Sequence, residues 1–313
     1  MLATLGEPPS RFADSAVEAK YDGQRGMAVI DDGAVTLFSR NGANITGTFP
    51  EISAALPALS NRNLVLDGEI VALNEAGIPS FRRLQQRWPQ NRRPDADLLR
   101  RVPVRFFLFD VLQIDGVDIT RQPYEVRRGR LDDIASNAGP VVQLPGSWAG
   151  IDPQAVLAAS ADLQLEGIIC KHLASPYTPG LRSRDWIKTP HRKRSEFIIG
   201  GWLPGAGVNR HTIGGLLVGA YNADGELQFC GLVGAGLSSS QRRRLSGALE
   251  PLRSTTTPFT GLIADAGAHA RWVRPELVGD VEYREFGTTL RHASWKGLRT
   301  DIDSAQVTLP TAA

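Results

Sequence analysis

Apolar runs of strand length recur along this chain without a regular alternation of strand and helix. Residues 17–20, 26–30 and 34–39 have strand character, the last two joined by Asp31-Asp32-Gly33, and 63–73, 105–114 and 167–172 are further runs of that type. Apolar spacing of three and four predicts helices over 49–59, 80–88, 124–136 and 153–163. Strict strand-helix-strand alternation would dictate a parallel Rossmann sheet. Its absence predicts an α+β domain instead.

The pattern changes after Trp186-Ile187-Lys188. Residues 189–194, Thr-Pro-His-Arg-Lys-Arg, are polar, basic and proline-containing, as an interdomain linker often is. Beyond them short strands are expected at 197–202, 213–221, 227–233 and 278–286, punctuated by glycines, with a helix near 238–249. A small β-barrel, an OB-fold by preference, fits this spacing. Two domains are therefore expected, 1–190 and 191–313, and no internal repeat is visible.

At 313 residues the chain can build two cores, and 42% hydrophobic with 22% charged residues is ordinary for a soluble protein. It contains no apolar run of about 18 residues, and Met1-Leu2-Ala3 leads into no signal segment, so a cytoplasmic protein without a membrane partner is expected. Cys170 and Cys230 are too few for a disulfide framework, and no Cys/His cluster has zinc spacing. The net charge of +2 leaves any attraction for nucleic acid to local patches. One such patch holds Arg82, Arg83, Arg87, Arg92, Arg93, Arg100, Arg101 and Arg105, which read equally as phosphate contacts or as a solvated loop.

Only five of the 35 basic residues are lysines: Lys20, Lys171, Lys188, Lys193 and Lys296. An amine can lose its proton and attack phosphorus, whereas a guanidinium stays charged and binds. That makes Lys20-Tyr21-Asp22-Gly23, followed by Arg25, the segment to weigh first, although alone it also reads as a surface lysine before a β-turn. Further clusters follow at strand ends. They are Ser39-Arg40-Asn41-Gly42, Asp67-Gly68-Glu69, Phe106 through Asp110, Glu166-Gly167-Ile168-Ile169-Cys170-Lys171 and Trp186-Ile187-Lys188.

In this order the clusters resemble the nucleotidyltransferase motifs of ATP-dependent polynucleotide ligases and of the related mRNA capping enzymes. Lys20–Gly23 matches Lys-x-Asp-Gly, Arg40 lies in Ser-Arg-Asn-Gly, Glu69 ends Asp-Gly-Glu, Phe109-Asp110 falls on the third strand, and Glu166–Lys171 matches Glu-Gly-x-x-x-Lys. Lys188 opens Lys-x-Lys, and Gly200-Gly201-Trp202 with Ser294–Arg299 is similar to the barrel domain of bacterial ligases of the D and C types. The resemblance implies a nucleotidyltransferase domain followed by an OB-fold. It implies a Lys20-AMP intermediate formed from ATP with Mg²⁺ or Mn²⁺ and passed to the 5′-phosphate of nicked or broken duplex DNA, in a monomer working at the nucleoid with end-binding or repair proteins.

The residue roles come from the same resemblance. Lys20 would be the nucleophile, with Asp22 beside it, Lys171 or Lys188 near the amine and Lys188 on the α-phosphate. Glu166 and Glu69 would serve the metal, Glu69 also a ribose hydroxyl, Phe109 the adenine, and Arg25 and Arg40 the ribose or the DNA 5′-phosphate. Glu18 and Lys171 complete the nucleotide site, and Arg299 and Asp301 would orient the departing pyrophosphate. Two positions depart from the family pattern: Pro190 stands for the second lysine of Lys-x-Lys, and Ile302 for the last residue of Arg-x-Asp-Lys. Arg192, Lys193 and Arg194 are the candidates to supply the missing charge. An RNA ligase, a capping nucleotidyltransferase and a weakened nucleic-acid-binding scaffold remain the alternatives.

Overall fold

The computed structural model describes residues 1–89, 93–207, 210–261 and 269–310. The chain divides into two compact units, Met1–His191 and Arg192–Ala313. In the first, strands are β1 (Leu2–Leu5), β2 (Ser15–Lys20), β3 (Gln24–Asp31), β4 (Ala34–Ser39), β5 (Leu64–Ala72), β6 (Val104–Ile114), β7 (Val117–Asp118), β8 (Val142–Gln143), β9 (Ser147–Ala149), β10 (Gly167–His172) and β11 (Arg182–Pro190). Helices are α1 (Pro50–Ala55), α2 (Phe81–Leu84), α3 (Ala96–Arg101), α4 (Tyr124–Ile134) and α5 (Pro153–Asp162).

These strands make two sheets. One has the order β1-β11-β10-β2-β9, antiparallel except where β1 meets β11, and the other runs β4-β3-β5-β6-β7 with β8 beside β6. Phe49, Ile52, Leu66, Phe106, Leu108 and Leu131 are fully buried in the larger core, which covers one face of the second sheet. Burying a large apolar side chain is worth about 1.5–3 kcal/mol, so this core dominates the unit's stability.

Two predicted helices are cut short. The one expected over 49–59 becomes 3₁₀ at Leu56–Ala58, where Pro57 has no N–H to continue an α-helical ladder. The one over 80–88 also tightens to 3₁₀, at Gln85–Arg87.

The second unit holds β12 (Lys193–Pro204), β13 (Ile213–Tyr221), β14 (Leu227–Val233), α6 (Ser239–Leu249), β15 (Arg253–Ser254), β16 (Arg271–Val273), β17 (Val278–Tyr283), β18 (Glu285–Phe286), β19 (Leu290–Arg291) and β20 (Ser294–Arg299). β12 pairs with β13, β16 and β17, and β17 with β20. A bridge from Ala235 to Ser294 carries the pairing round from the end of β14 to β20, which curls the sheet about Phe197, Leu217, Val218, Leu245 and Trp295. α6 starts on a capping box in which Ser238 and Gln241 satisfy each other's backbone N–H groups.

The expected linker over 189–194 is not a loop. β11 runs to Pro190 and β12 begins at Lys193, so His191 and Arg192 alone lie between strands. Its polar and basic composition suggests solvent, but Arg194 is bonded to Asp280 and Arg192 to the His292 carbonyl, both within the barrel unit. Cross-strand ion pairs let a charged sequence form a strand edge. The same bonds occupy two of the groups expected to replace the charge missing at Pro190.

Candidate active site

Three neighbouring strands set the site by their register. Gly167 on β10 stands opposite both Lys20 on β2 and Pro190 on β11, and Ile169 stands opposite both Glu18 and Lys188. Side chains alternate along a strand, so Glu18, Lys20, Lys171, Trp186, Lys188 and Pro190 share one face. Gly167 lets the three strands close up. A Cβ there would lie 2.2 Å from the Thr189 carbonyl oxygen, and φ is +142°.

On this face Lys20 Nζ donates to Glu166 Oε2 at 2.5 Å. Glu166 is held by its own backbone: its N–H donates to the Lys20 carbonyl at 3.2 Å, and its carbonyl accepts from the His191 N–H at 2.8 Å. Lys20 and its carboxylate partner are thus fixed to each other through the sheet. Lys188 is partly buried, and desolvation followed by the charge of Lys20 holds its amine below the usual lysine range.

One pocket gathers Glu18, Lys20, Arg25, Arg40, Glu69, Phe109, Lys171 and Lys188, all eight residues expected to bind the nucleotide. Asp22 sits in the turn between β2 and β3, off the pocket wall. Burial, opposed by Lys20 and reinforced by Glu166, pushes the Glu69 carboxyl up to about 8. Arg299 and Asp301 belong to the barrel unit. There Arg299 bonds bidentately to Asp301, at 2.9 and 2.7 Å, and to Glu196 at 2.8 Å.

Three expectations change on contact with the geometry. Arg25 lines the pocket, but its nitrogens are already engaged: Nε and Nη2 with Asp67 at 3.0 and 2.5 Å, Nη1 with the Met1 carbonyl, and Nη2 also with Tyr177. It braces the wall beside Phe109, whose ring lies 5.4 Å from the guanidinium. Lys171 is not a neighbour of the Lys20 amine. Its ammonium pairs with Glu18 at 2.7 Å.

Among the eight arginines, Arg87 is buried and bonded to Glu51 and the Val102 carbonyl, while Arg83 donates to the Arg101 carbonyl. Arg100 and Arg101 pair with Asp97 on an exposed helix face, Arg82 and Arg93 are exposed, and Arg92 lies outside the described residues.

Several wall residues carried no signal of their own. Phe107, two positions before Phe109 on β6, presents a second ring to the pocket, and strand alternation could have found it. Arg128 and Arg182 also line the pocket, and Tyr124 and Arg128 reach Glu18 from α4, over a hundred residues away in sequence. No local pattern reports such a contact.

For a divalent cation the donors present are the Glu69 and Glu166 carboxylates, the second close enough to raise the proton affinity of the first, and no group of three metal-ligating side chains occurs among the described residues. Two carboxylates suit Mg²⁺, which takes its other ligands from phosphate and water.

A lysine paired with a carboxylate on a sheet, a pocket with aromatic walls and a following curled sheet fit a nucleotidyltransferase domain followed by an OB-fold. The chain belongs to the ATP-dependent DNA ligase family: the ATP dependent DNA ligase domain matches residues 5–189 and the ATP dependent DNA ligase C terminal region residues 209–302. Among its relatives, the multifunctional non-homologous end joining protein LigD of Mycolicibacterium smegmatis is 37% identical over 307 residues, which are 96% of this chain and 38% of that protein. LigD of Pseudomonas aeruginosa is 35% identical over 312 residues, covering 98% of this chain and 36% of its own length. This chain therefore spans well under half of those relatives. The crystal structure of the ligase domain from M. tuberculosis LigD superposes with a TM-score of 0.56 at 35% identity, over 99% of this chain and 97% of that one. A mycobacterial DNA ligase D complexed with ATP and MES gives the same TM-score at 34% identity, covering 99% and 97%.

Proposed function

We propose that this chain seals breaks in duplex DNA by way of a lysine-AMP intermediate, with residues 1–190 carrying the nucleotide chemistry and 191–313 the barrel that assists it. The observation that carries the reading is Lys20 fixed against Glu166 in the pocket that also holds Lys188, Glu69 and Phe109.

In the first step Lys20 Nζ attacks the α-phosphorus of ATP. The N–P bond forms as the bond to the bridging oxygen of pyrophosphate breaks, pyrophosphate leaves with the electron pair, and the amine proton passes to Glu166. Lys188 neutralises charge on the α-phosphate in the transition state, and Arg40 lies exposed at the pocket wall. Glu69 and Glu166 would hold Mg²⁺, which supplies further neutralisation of phosphate charge when bound. In the second step an oxygen of the DNA 5′-phosphate attacks the same phosphorus and Lys20 departs with a proton restored. In the third the 3′-hydroxyl attacks the activated 5′-phosphorus, releasing AMP.

The chain would act as a monomer on nicked or broken duplex in the cytoplasm, at the nucleoid, with end-binding repair proteins as recruiting partners. No helix among the described residues is long and apolar enough to cross a membrane.

Labelled ATP with a divalent metal should mark Lys20. Arginine keeps the positive charge but supplies no neutral amine, so Lys20→Arg should lose both the label and nick sealing. Label retained in that variant would overturn the assignment.

A further inference from the structure

Lys171 is buried to 1% exposure, a rare state for a lysine. Its Nζ pairs with Glu18 Oε2 at 2.7 Å and donates to the Phe109 carbonyl at 3.2 Å. Three rings enclose the ammonium, with centroids at 4.3 Å (Trp186), 4.7 Å (Tyr124) and 4.9 Å (Phe109). Glu18 is tied down from a second side, since Tyr124 donates its hydroxyl proton to it and Arg128 stands 3.6 Å away.

Register gives Lys171 its place in the pocket. Lys20 stands opposite Gly167 and Trp186 opposite Lys171, four residues further along β10. At about 3.3 Å per residue the two rows are separated by roughly 13 Å. If the α-phosphate meets Lys20, the row carrying Lys171 and Trp186 lies at the opposite end, where the walls are aromatic.

We propose that Lys171 is a positioning residue for the base end of the nucleotide, holding the Glu18 carboxylate and the Phe109 backbone where a purine meets them, and that it does not contact phosphate. This rests on the nucleotide-binding reading of the pocket. Two of its three N–H groups are taken by a carboxylate and a carbonyl, and three rings enclose the ammonium, which leaves it poorly placed to meet a triphosphate. Glu18 in turn keeps its place on the pocket wall because Lys171 holds its carboxylate. Removing the ammonium would leave that carboxylate without its nearest cationic partner and free to move.

The test compares adenosine, which has a base and ribose but no phosphate, with ATP. Lys171→Met keeps the length of the side chain and suits the aromatic box. It should weaken adenosine and ATP binding by the same factor, about tenfold, and raise the KM for ATP in self-adenylation more than it lowers kcat. Lys188→Ala should weaken ATP and spare adenosine. If Lys171→Met weakens ATP and leaves adenosine alone, Lys171 is a phosphate ligand and the proposal falls. Should that variant fail to fold, Tyr124→Phe removes one support of Glu18 and keeps the ring, and it should weaken both ligands about threefold. Unchanged adenosine binding there overturns the proposal equally. Failure of the wild-type protein to form any adenylate on Lys20 would remove the ligase reading alone, because adenosine binding is measured without catalysis.

Discussion

Glu69 brings a cost in stability that depends on pH. Its carboxyl, ordinarily at 4.5, is pushed up to about 8 by burial and by Glu166. Between those values the folded protein holds a proton that the unfolded chain has shed, so this group's contribution to stability falls as pH rises through that window. Denaturant titrations should show wild type losing ground to Glu69→Gln from pH 5 to pH 8, and a constant difference between the two would refute the sign. Arg87 makes a different point. A sequence rich in arginine suggests a phosphate-binding strip, but this guanidinium is buried against Glu51 at 2.5 Å. Arg87→Met strands that carboxylate and two backbone carbonyls and should cost about 3 kcal/mol in chemical denaturation. It should leave the salt dependence of DNA binding unchanged. Charge reversal at Arg92 and Arg93 should instead flatten that dependence, because each lost phosphate contact lowers the number of counterions released.

At the level of elements, the strands of seven residues or more, β11 excepted, were legible because their apolar runs are bounded by glycine, proline and aspartate. β4, β10, β13 and β14 fall on the expected residues. β1 and α3 were not legible: a four-residue strand whose pairing partner lies near residue 182 has too little local pattern to stand out. The candidate site was legible as a set of residue types at strand ends, but not as a geometry, since register across β2, β10 and β11 decides who faces whom. Pro190 illustrates the gain. It shares the row of Gly167 and Lys20, so a lysine there would lie on the nucleophile's face, two residues from Lys188. Pro190→Lys should therefore speed self-adenylation about tenfold, the value of one charge-assisted contact. Alanine at Arg192 and Arg194 should loosen the barrel edge and leave that rate alone, because both are bonded within their own unit. Burst labelling with ATP checks both expectations.

For the molecule as a whole, the division at His191 and Arg192 leaves the pocket of Lys20 and Lys188 in one unit and the Arg299–Asp301 pair in the other. If Arg299 acts in the first step alone, Arg299→Ala should slow self-adenylation far more than sealing of a pre-adenylated nick. Equal loss in both assays would argue against a role confined to that step. Gly167 carries a separate consequence for anyone mapping this enzyme by saturation mutagenesis. Every other amino acid puts a carbon 2.2 Å from the Thr189 oxygen, and the cheapest relief is for β11 to part from β10. Such a map will score position 167 as intolerant as Lys20 itself, although it touches no reactant. Selection scores alone would rank a spacer among the nucleophiles.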